Sequence, residues 1–371
     1  MPGGSRCVPT LLRVRAMPGG NGAEAPVRVT PAGDGTEVPI IETREVCKHF
    51  SVGRGALGQA RPTLKAVDGV SLAIRRGETL ALVGETGSGK TTFGRLLLGL
   101  YQPSSGDILY RGRSILDRKG EAARAVRRQI QGVFQDPYSS LNPTMTVGQS
   151  LAEVLKVHRV GKRQERPQLV AELLQTVGLS PAQASRRPVA FSGGERQRVG
   201  IARALAVRPE VVIADEPLSA LDVSIQAQVL NLMIGLQDER GLTYLFVTHD
   251  LDVARHISQR TAVLYLGRVV EYAPTADIFA EPLHPYTEAL VRAAPRLTTQ
   301  RKTIKPALTG DIPNAIERPQ GCHFHPRCPR VMPVCREREP LLIQLSDSRS
   351  VACHLHDAGI PTPAAPPPVT A

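Results

Sequence analysis

The sequence contains no tryptophan, and aromatic residues make up only 4% of the chain. Surfaces that bind nucleic acids combine clustered positive charge with aromatic rings that stack on bases. The 46 basic residues give a net charge of +12, but they are scattered along the chain and are mostly arginine. We therefore expect no nucleic-acid partner. We interpret the charge as a compositional bias or a mild attraction to anionic membrane surfaces.

Cysteine is also scarce, at six residues, so a fold built on disulfides is excluded. No apolar run approaches the roughly 20 residues that a membrane-spanning helix needs. The N-terminus lacks a charged segment followed by a long apolar one, which a secretion signal would show. We therefore expect the chain to stay in the cytoplasm, where reducing conditions disfavour disulfides.

Composition divides the chain into two tails and a folded centre. Residues 1–38 are rich in Gly, Pro and Ala, and residues 359–371 are rich in Pro, so both segments are predicted to be disordered. The tetrad "MPGG" occurs at Met1 and at Met17, so translation could start at either methionine. Between the tails, buried strands such as "EVVIADEP" and "LTYLFVTHD" alternate with helices. This alternation predicts an α/β fold with parallel strands and right-handed crossovers.

The segment "GETGSGKT" fits the phosphate-binding pattern G-x-x-x-x-G-K-[ST]. The apolar run "TLALV" precedes it, and a helical pattern runs from Lys90 to Leu100. Glycines allow several backbone N–H groups to point at phosphate oxygens, and the helix N-terminus adds a positive dipole end. Lys90 supplies a positive charge, and Thr91 offers a hydroxyl to Mg²⁺. The predicted nucleotide-binding residues in this segment are Gly84, Glu85, Thr86, Gly87, Ser88, Gly89, Lys90, Thr91 and Thr92.

Two acids end the apolar run "VVIADEP", at the position where parallel sheets gather their ligands. Asp215 is predicted to hold Mg²⁺, directly or through water. Glu216 is suited to polarise the attacking water as a general base. Two acids at a strand end are more often helix caps, but the nearby phosphate-binding segment favours the metal site.

Four further motifs are family-specific. The segment "FSGGERQRVGIARAL" at Phe191–Leu205 resembles the signature of ABC-transporter ATPases. The segments "VFQDPYSSLNP", "SALD" and "VTHD" resemble their Q-loop, D-loop and H-loop, in the family's order. The segments "QDPYSSLNP", "EPLHPYTEALVRAAP" and "GCHFHPRCPRVMPVC" resemble more narrowly the ATP-binding subunits of oligopeptide/dipeptide importers. The resemblance covers about residues 40–360.

The resemblance implies a P-loop NTPase fold with a mixed sheet core, an antiparallel β subdomain and a helical signature subdomain. The ATPase domain would span residues 39–268, with the helical subdomain at about 137–200. A small irregular C-terminal domain of the oligopeptide-transporter type would span residues 269–358. ATP and Mg²⁺ are the implied cofactors. Hydrolysis would power peptide import from the cytoplasmic face of the membrane, where the chain would be peripheral.

The implied partners are a second ABC ATPase subunit, two membrane permease subunits and, indirectly, an extracytoplasmic solute-binding protein. Nickel, glutathione or sugar import by the same motor stays open, because substrate choice lies in other subunits. A DNA-associated ABC ATPase is disfavoured. Such proteins carry a long coiled-coil or zinc insertion, whereas about a hundred residues without sustained heptads separate Lys90 from Ser192.

Individual roles also follow from the resemblance. Phe50 would stack on adenine, and Gln135 would contact Mg²⁺ and sense the γ-phosphate. His249 would help to orient the attacking water, and Asp222 would act across the dimer interface. The residues implied to bind the γ-phosphate of the opposite subunit's ATP are Ser192, Gly193, Gly194 and Glu195. Glutamate at position 195 departs from the usual glutamine and adds negative charge near a polyphosphate.

Four cysteines lie near the C-terminus, spaced C-x5-C-x6-C-x17-C: Cys322, Cys328, Cys335 and Cys353. Structural zinc sites usually show tight C-x2–4-C pairs, which are absent here. Spacing alone leaves an iron–sulfur cluster, zinc and a metal-free element open. The resemblance favours a [4Fe–4S] cluster, because some relatives carry one in this region. Nearby histidines are alternative ligands.

Overall fold

The fold is taken from a computed structural model, which describes residues 38–52, 62–116, 120–136, 141–293 and 313–357. The predicted disordered tails lie almost wholly outside these ranges. Residues 137–140 of the Q-loop segment and residues 294–295 of "EPLHPYTEALVRAAP" also lie outside them. No helix in the part of the chain that the structure describes is long and apolar enough to span a bilayer.

The described strands form two sheets. Their bounds are β1 Ile41–Ser51, β2 Thr63–Val70, β3 Ala73–Ile74, β4 Thr79–Val83, β5 Ser105–Tyr110, β6 Arg113–Ser114, β7 Ile130–Val133, β8 Val211–Asp215, β9 Thr243–Thr248, β10 Arg260–Tyr265, β11 Arg268–Pro274, β12 Ile343–Ser346 and β13 Arg349–Val351.

The larger sheet is mixed, with the order β12-β13-β11-β10-β4-β9-β8-β7 among the described strands. Strands β10, β4, β9, β8 and β7 pair in parallel, and β11, β13 and β12 continue the sheet in antiparallel fashion. Residues of β4, β8 and β9 are buried at every position, as expected for strands covered on both faces. The predicted mixed sheet core is confirmed.

The smaller sheet is antiparallel, with the order β2-β1-β5-β6 and β3 paired to β1 in the described part of the chain. It forms the predicted β subdomain. Apolar side chains from β1, β2 and β5 join those of α1 and β4 in a shared core, including Ile41, Val67, Leu82, Phe93 and Ile108.

The described helices have these bounds: α1 Lys90–Leu97, α2 Gly120–Gln129, α3 Val147–Val157, α4 Arg166–Thr176, α5 Gly193–Leu205, α6 Val223–Arg240, α7 Leu251–Ile257, α8 Thr275–Ala280, α9 Pro285–Ala293 and α10 Pro333–Glu337. Short 3-10 helices lie at Pro181–Ser185, Pro188–Ala190, His325–Arg327 and His354–His356.

Helix α1 ends three residues earlier than predicted. Gly99 has a φ of 67°, in the left-handed region that favours glycine, and its N–H donates to the carbonyl of Leu96. The helical signature subdomain is confirmed as α3, α4 and the first part of α5. These helices share a core that includes Leu151, Leu174 and Val199.

The chain beyond Gly267 is more regular than the sequence suggests. Strand β11, helices α8 and α9, and the β12–β13 hairpin all lie there. The predicted boundary between the ATPase domain and the C-terminal domain, after residue 268, falls at the start of β11. Strand β11 pairs with β10 through the register Val263↔Glu271, so this region extends the main sheet. The sequence did not predict these elements because each is short, and because prolines lie at or beside β11, α8 and α9.

Candidate active site

The carboxyl ends of four parallel strands bring the predicted site together. Register pairs Val83 with Thr248, Asp215 with Val247, and Val133 with Ala214. The phosphate-binding loop therefore leaves β4 beside His249, which follows β9. Asp215 ends β8 and Glu216 follows it, and Gln135 follows β7. This is the edge at which parallel sheets bind ligands.

The loop between β4 and α1 requires its glycines. A Cβ atom on Gly84 would lie 2.2 Å from the carbonyl oxygen of Leu264, and one on Gly89 would lie 2.1 Å from that of Ala66. Gly89 also has a φ of 105°, which side chains rarely tolerate. The backbone thus packs closely on its supports.

Two polar groups inside the loop are suited to an anion. Lys90 is 4% exposed, and its ammonium donates to the carbonyls of Gly84 (2.7 Å) and Glu85 (2.9 Å). Burial lowers the pKa of Lys90, because a charged amine is costly away from water. The Ser88 hydroxyl is buried without a hydrogen-bond partner in the described chain. A phosphate would satisfy both groups, so the residues present fit ATP.

Thr91 and Asp215 form the predicted metal-binding pair. The Thr91 hydroxyl donates to the Asp215 carboxylate at 3.0 Å, across the space between α1 and β8. Burial raises the pKa of Asp215, which is 4% exposed. A buried carboxylate beside a hydroxyl is an oxygen-rich pair that suits Mg²⁺, and binding the cation would offset the cost of burial.

Glu216 and His249 also meet. His249 Nδ1 lies 3.4 Å from Glu216 Oε2, and the histidine side chain is 53% exposed. Glu216 has a φ of 46°, and its N–H donates to the carbonyl of Val247 at 3.0 Å. Non-glycine residues held in this region store strain, which concentrates at functional sites. His249 does not cap α7, because Asp250 accepts from the N–H groups of Asp252 and Val253.

The signature serine begins α5. Ser192 accepts from the N–H of Glu195 at 3.2 Å, and the Glu195 carboxylate accepts from the N–H of Ser192 at 2.9 Å, a complete capping box. Glu195 also accepts from the Gln183 amide at 2.9 Å. The backbone hydrogen bond from Ser192 lowers the pKa of Glu195. The glutamate that departs from the family pattern therefore stabilises its own helix start.

Close packing explains the second signature glycine. A Cβ atom on Gly194 would lie 2.3 Å from Ile225 Cγ2 on helix α6, and one on Gly193 would lie 3.4 Å from Leu221 Cδ2. Asp222 caps α6 by accepting from the Ile225 N–H at 3.0 Å and from the Ser224 hydroxyl at 2.8 Å. The signature and D-loop segments thus form one packed unit. The predicted roles of Ser192, Gly193, Gly194 and Asp222 across a dimer interface stay predictions.

Phe50 and Gln135 have more exposed positions. Phe50 lies near the end of β1, edge-on to Tyr101 with 5.5 Å between ring centroids, and Lys48 Nζ lies 5.0 Å from its ring. Gln135 is exposed just beyond β7. The adenine-stacking and γ-phosphate-sensing roles stay predictions. None of the motifs recognised in the sequence contains Tyr101, which lies about 50 residues beyond Phe50 in the chain.

Two C-terminal contacts with the phosphate-binding loop could not be predicted from the sequence. Tyr286 accepts a hydrogen bond from the N–H of Glu85, and Arg327 donates to the Glu85 carboxylate. Tyr286 lies in the segment "EPLHPYTEALVRAAP", and Arg327 lies between two of the four cysteines. Both belong to motifs that the sequence singled out, but the sequence does not reveal what those motifs touch.

The four C-terminal cysteines are neighbours whose thiols affect one another; Cys322, Cys335 and Cys353 are buried, and Cys328 is half-buried. Burial raises the pKa of Cys322 and of Cys353 to about 12, and neighbouring thiols add to this effect. Among the described residues, no three of these sulfurs lie within 4.8 Å of one another. Ligand sulfurs around one zinc ion would be about 3.8 Å apart, from a Zn–S distance of about 2.3 Å. The set is wider than a closed zinc site.

Comparisons with known proteins agree with this geometry. The family described as "ABC transporter" matches residues 67–219, and the family "Oligopeptide/dipeptide transporter, C-terminal region" matches residues 270–335. The oligopeptide transport ATP-binding protein AppF of Bacillus subtilis is 48% identical over 85% of this chain and 97% of its own length. The chain belongs to the oligopeptide/dipeptide family of ABC-transporter ATP-binding subunits. It is therefore an ATPase that binds ATP, typically with Mg²⁺.

Other relatives of the ABC subunit support the same assignment. The dipeptide transport ATP-binding protein DppF of Haemophilus influenzae is 46% identical over 82% of this chain and 93% of its own length. A dimeric post-hydrolysis structure of the ATP-binding cassette MJ0796, bound to ADP and Pi, is 30% identical with a TM-score of 0.56. It covers 63% of this chain and 98% of that one. The P-loop ABC ATPase fold is confirmed.

Proposed function

We propose that this subunit hydrolyses ATP to power the import of peptides through separate membrane permease subunits. The observation that carries the proposal is the union, in one chain, of an assembled ATP site with the oligopeptide/dipeptide-type C-terminal region. The names of relatives such as AppF and DppF support peptides as the substrate class.

The chain's own residues have distinct roles in hydrolysis. The loop amides and Lys90 bind the phosphates, and Thr91 with Asp215 would hold Mg²⁺. When bound, the ion would neutralise phosphate charge and orient the terminal phosphate. Glu216 accepts a proton from the attacking water. His249, whose Nδ1 lies 3.4 Å from Glu216 Oε2, helps to fix the water's position. Gln135, exposed just beyond β7, would report the state of this site at the surface.

A second ATP-binding subunit, identical or homologous, would complete each site. The capping box at the start of α5 satisfies the N–H groups of Ser192 and Glu195, and those of Gly193 and Gly194 in the first turn suit an anion supplied from outside the chain. ATP binding would close two such chains around two nucleotides, and hydrolysis would reopen them. The solved MJ0796 cassette is a dimer, which supports this arrangement.

A groove beside the Q-loop is the proposed permease-docking surface. It measures about 320 Å³, and its walls include Leu100, Phe134, His158 and Gly200. Leu100 is 55% exposed and Phe134 is 38% exposed, so an apolar patch adjoins Gln135. Docking here would place the chain peripherally at the cytoplasmic face of the membrane, with the extracytoplasmic solute-binding protein as an indirect partner.

Co-purification with peptide-permease subunits tests this proposal. Leu100→Asp and Phe134→Asp should abolish copurification and uptake of a labelled peptide, because each puts a negative charge in place of an exposed apolar side chain of the groove. Leu345→Asp is the matched control, because Leu345 is 46% exposed on β12, at the other edge of the sheet from β7. Undiminished binding by both groove variants would rule out this docking surface. ATP-dependent uptake of nickel but not peptide would overturn the substrate class.

We further propose that Cys322, Cys328, Cys335 and Cys353 hold a [4Fe–4S] cluster. The proposal rests on the resemblance to importer subunits and on the four neighbouring, largely buried thiols, which could bind irons at separate corners of a cluster. The cluster would staple the C-terminal region. Anaerobically purified protein should be brown and contain iron. A colourless protein with stoichiometric zinc would contradict the proposal.

A further inference from the structure

The segment "GCHFHPRCPRVMPVC", residues 321–335, is here called the cysteine-bearing segment, and it makes an ion pair with the phosphate-binding loop. Arg327, between Cys322 and Cys328, donates from Nη1 and Nη2 to the two carboxylate oxygens of Glu85, at 2.7 and 2.9 Å. The side chains are 4% and 22% exposed, respectively. A bidentate guanidinium–carboxylate pair shielded from water fixes both partners in orientation as well as distance.

The backbone of the same residue is held as well. The N–H of Glu85 donates to the Tyr286 hydroxyl at 2.8 Å, and Tyr286 is fully buried. Its ring packs against Tyr265, with centroids 4.7 Å apart, and against Phe324, at 5.4 Å. Phe324 is itself part of the cysteine-bearing segment. The C-terminal region therefore fixes both the main chain and the side chain of Glu85.

Glu85 occupies a sensitive position. Its carbonyl accepts from the Lys90 ammonium at 2.9 Å, so any rotation of Glu85 would move the lysine that faces the phosphates. Its carboxylate is also a negative charge in a loop that binds a polyanion. Pairing with Arg327 neutralises that charge. Without the arginine, the carboxylate would repel the nucleotide across a partly desolvated loop.

Backbone hydrogen bonds fix the position of Arg327. The N–H of Cys322 donates to the carbonyl of Cys335 at 2.8 Å, and the N–H of Arg327 donates to the carbonyl of Phe324 at 3.0 Å. Gly321 enters this turn with a φ of 70°, and a Cβ atom there would lie 2.5 Å from the Cys335 carbonyl oxygen. The arginine is thus anchored by the fold of the cysteine segment rather than by a flexible loop.

We propose that Arg327 and Tyr286 are positioning residues of the nucleotide site, through which the cysteine-bearing segment sets the affinity for ATP. This inference goes beyond the proposed peptide import, since it concerns only the ATP site. Disturbing the segment would weaken ATP binding before it affected the chemical step.

Nucleotide titration of the purified full chain tests the pair. Arg327→Gln should raise the Kd for ATP about tenfold, equivalent to about 1.4 kcal/mol, because Glu85 becomes an uncompensated charge. The value of kcat at saturating ATP should stay within about twofold, because Glu216 and His249 are untouched. Tyr286→Phe should also raise the Kd, since the Glu85 N–H loses its acceptor.

The double variant separates positioning from structural damage. Glu85→Gln combined with Arg327→Gln should bind ATP more tightly than Arg327→Gln alone, because the repelling charge is gone. Glu85→Gln alone should raise the Kd less than Arg327→Gln does, because it breaks the same ion pair without leaving a negative charge in the loop; this variant also tests the idea if Arg327→Gln fails to fold. Arg330→Gln is the matched control, because it breaks the Arg330–Glu288 pair in the same segment away from the loop. Its Kd should not change.

Two results would overturn the inference. One is a Kd for Arg327→Gln equal to that of the original protein. The other is a double variant as weak as Arg327→Gln alone, because that would mean that the arginine supports the fold and not the charge balance of the loop.

Discussion

Replacing Glu195 by the family's usual glutamine should destabilise this protein. The Gln183 amide oxygen accepts from the N–H of Ser180 at 2.8 Å, so its NH₂ group must face position 195. Glu195 meets that NH₂ with one oxygen and the N–H of Ser192 with the other, at 2.9 Å each. Glutamine offers one oxygen and one NH₂, so one of these two contacts becomes donor against donor.

The cost follows from the number of hydrogen bonds lost. A hydrogen bond to a charged group contributes about 1.5–3 kcal/mol, and the half-buried position of Glu195 reduces this to about 1 kcal/mol. Glu195→Ala loses both bonds and the favourable charge at the helix N-terminus, about 2 kcal/mol. For a chain of this size, 1 kcal/mol lowers the Tm by about 1.5 °C. Differential scanning calorimetry of the nucleotide-free protein measures these shifts.

A charge swap provides the control. Gln183→Glu combined with Glu195→Gln restores one donor and one acceptor at the contact and should recover most of the lost stability. The pH dependence supplies a second check. Because hydrogen bonding lowers the pKa of Glu195, its contribution is present above its ordinary pKa of 4.5 and is lost as the pH falls through the folded value. A glutamine variant as stable as the original at pH 7 would refute the reasoning.

Three further changes test the site and its supports. Glu216→Gln should keep ATP binding but lower the hydrolysis rate about 10²–10⁴-fold, since the general base is lost, and a fully active variant in a phosphate-release assay would contradict that role. Gly194→Ala should lower unfolding stability by about 1–3 kcal/mol in denaturant titrations, because its Cβ meets Ile225; Ile225→Ala should relieve the loss, and no rescue would count against the clash. Burial lowers the pKa of His284 to about 3, so between pH 6.5 and 3 the histidine binds a proton in the unfolded chain but not in the folded one. The free energy of unfolding should therefore fall by up to about 1.4 kcal/mol for each unit that the pH is lowered. In thermal melts between pH 6.5 and 5, the Tm of His284→Asn should fall less than that of the original protein. An equal fall in Tm for both proteins would contradict the prediction that His284 causes this pH dependence.

Local motifs carried most of what could be predicted. The segment containing Lys90 and Thr91 has its own spacing rule, and Asp215 and Glu216 end an apolar run, so each was recognisable without knowledge of distant residues. The sheet register then placed them together as expected. The contacts of Glu85 could not be predicted, because Tyr286 and Arg327 lie more than 200 residues further along the chain. A sequence indicates which residue types a motif needs, but not which distant side chain will neutralise it.

The departure at Glu195 shows the same limit in another form. By comparison with the family pattern, its charge looked like a liability beside a polyphosphate. Its partners, the backbone of Ser192 and the amide of Gln183, become visible only when the 3-10 helix at Pro181–Ser185 packs beside the start of α5. The sequence preference for a short 3-10 helix is too weak to predict this helix or its contact with Glu195.

The position of the β12–β13 hairpin late in the sequence affects how the chain folds while it is being synthesised. Strand β11 has one edge on β10, and its other edge is covered when Tyr272 pairs with Ser350 and the N–H of Ala352 donates to Val270. Ribosomes release the chain from its N-terminus, so β11 emerges some 80 residues before the strand that covers it. During that interval, and permanently in a chain cut after Ala293, β11 presents an open edge to neighbouring chains. The last residues of the hairpin thus act as a safeguard against aggregation of the nascent ATPase.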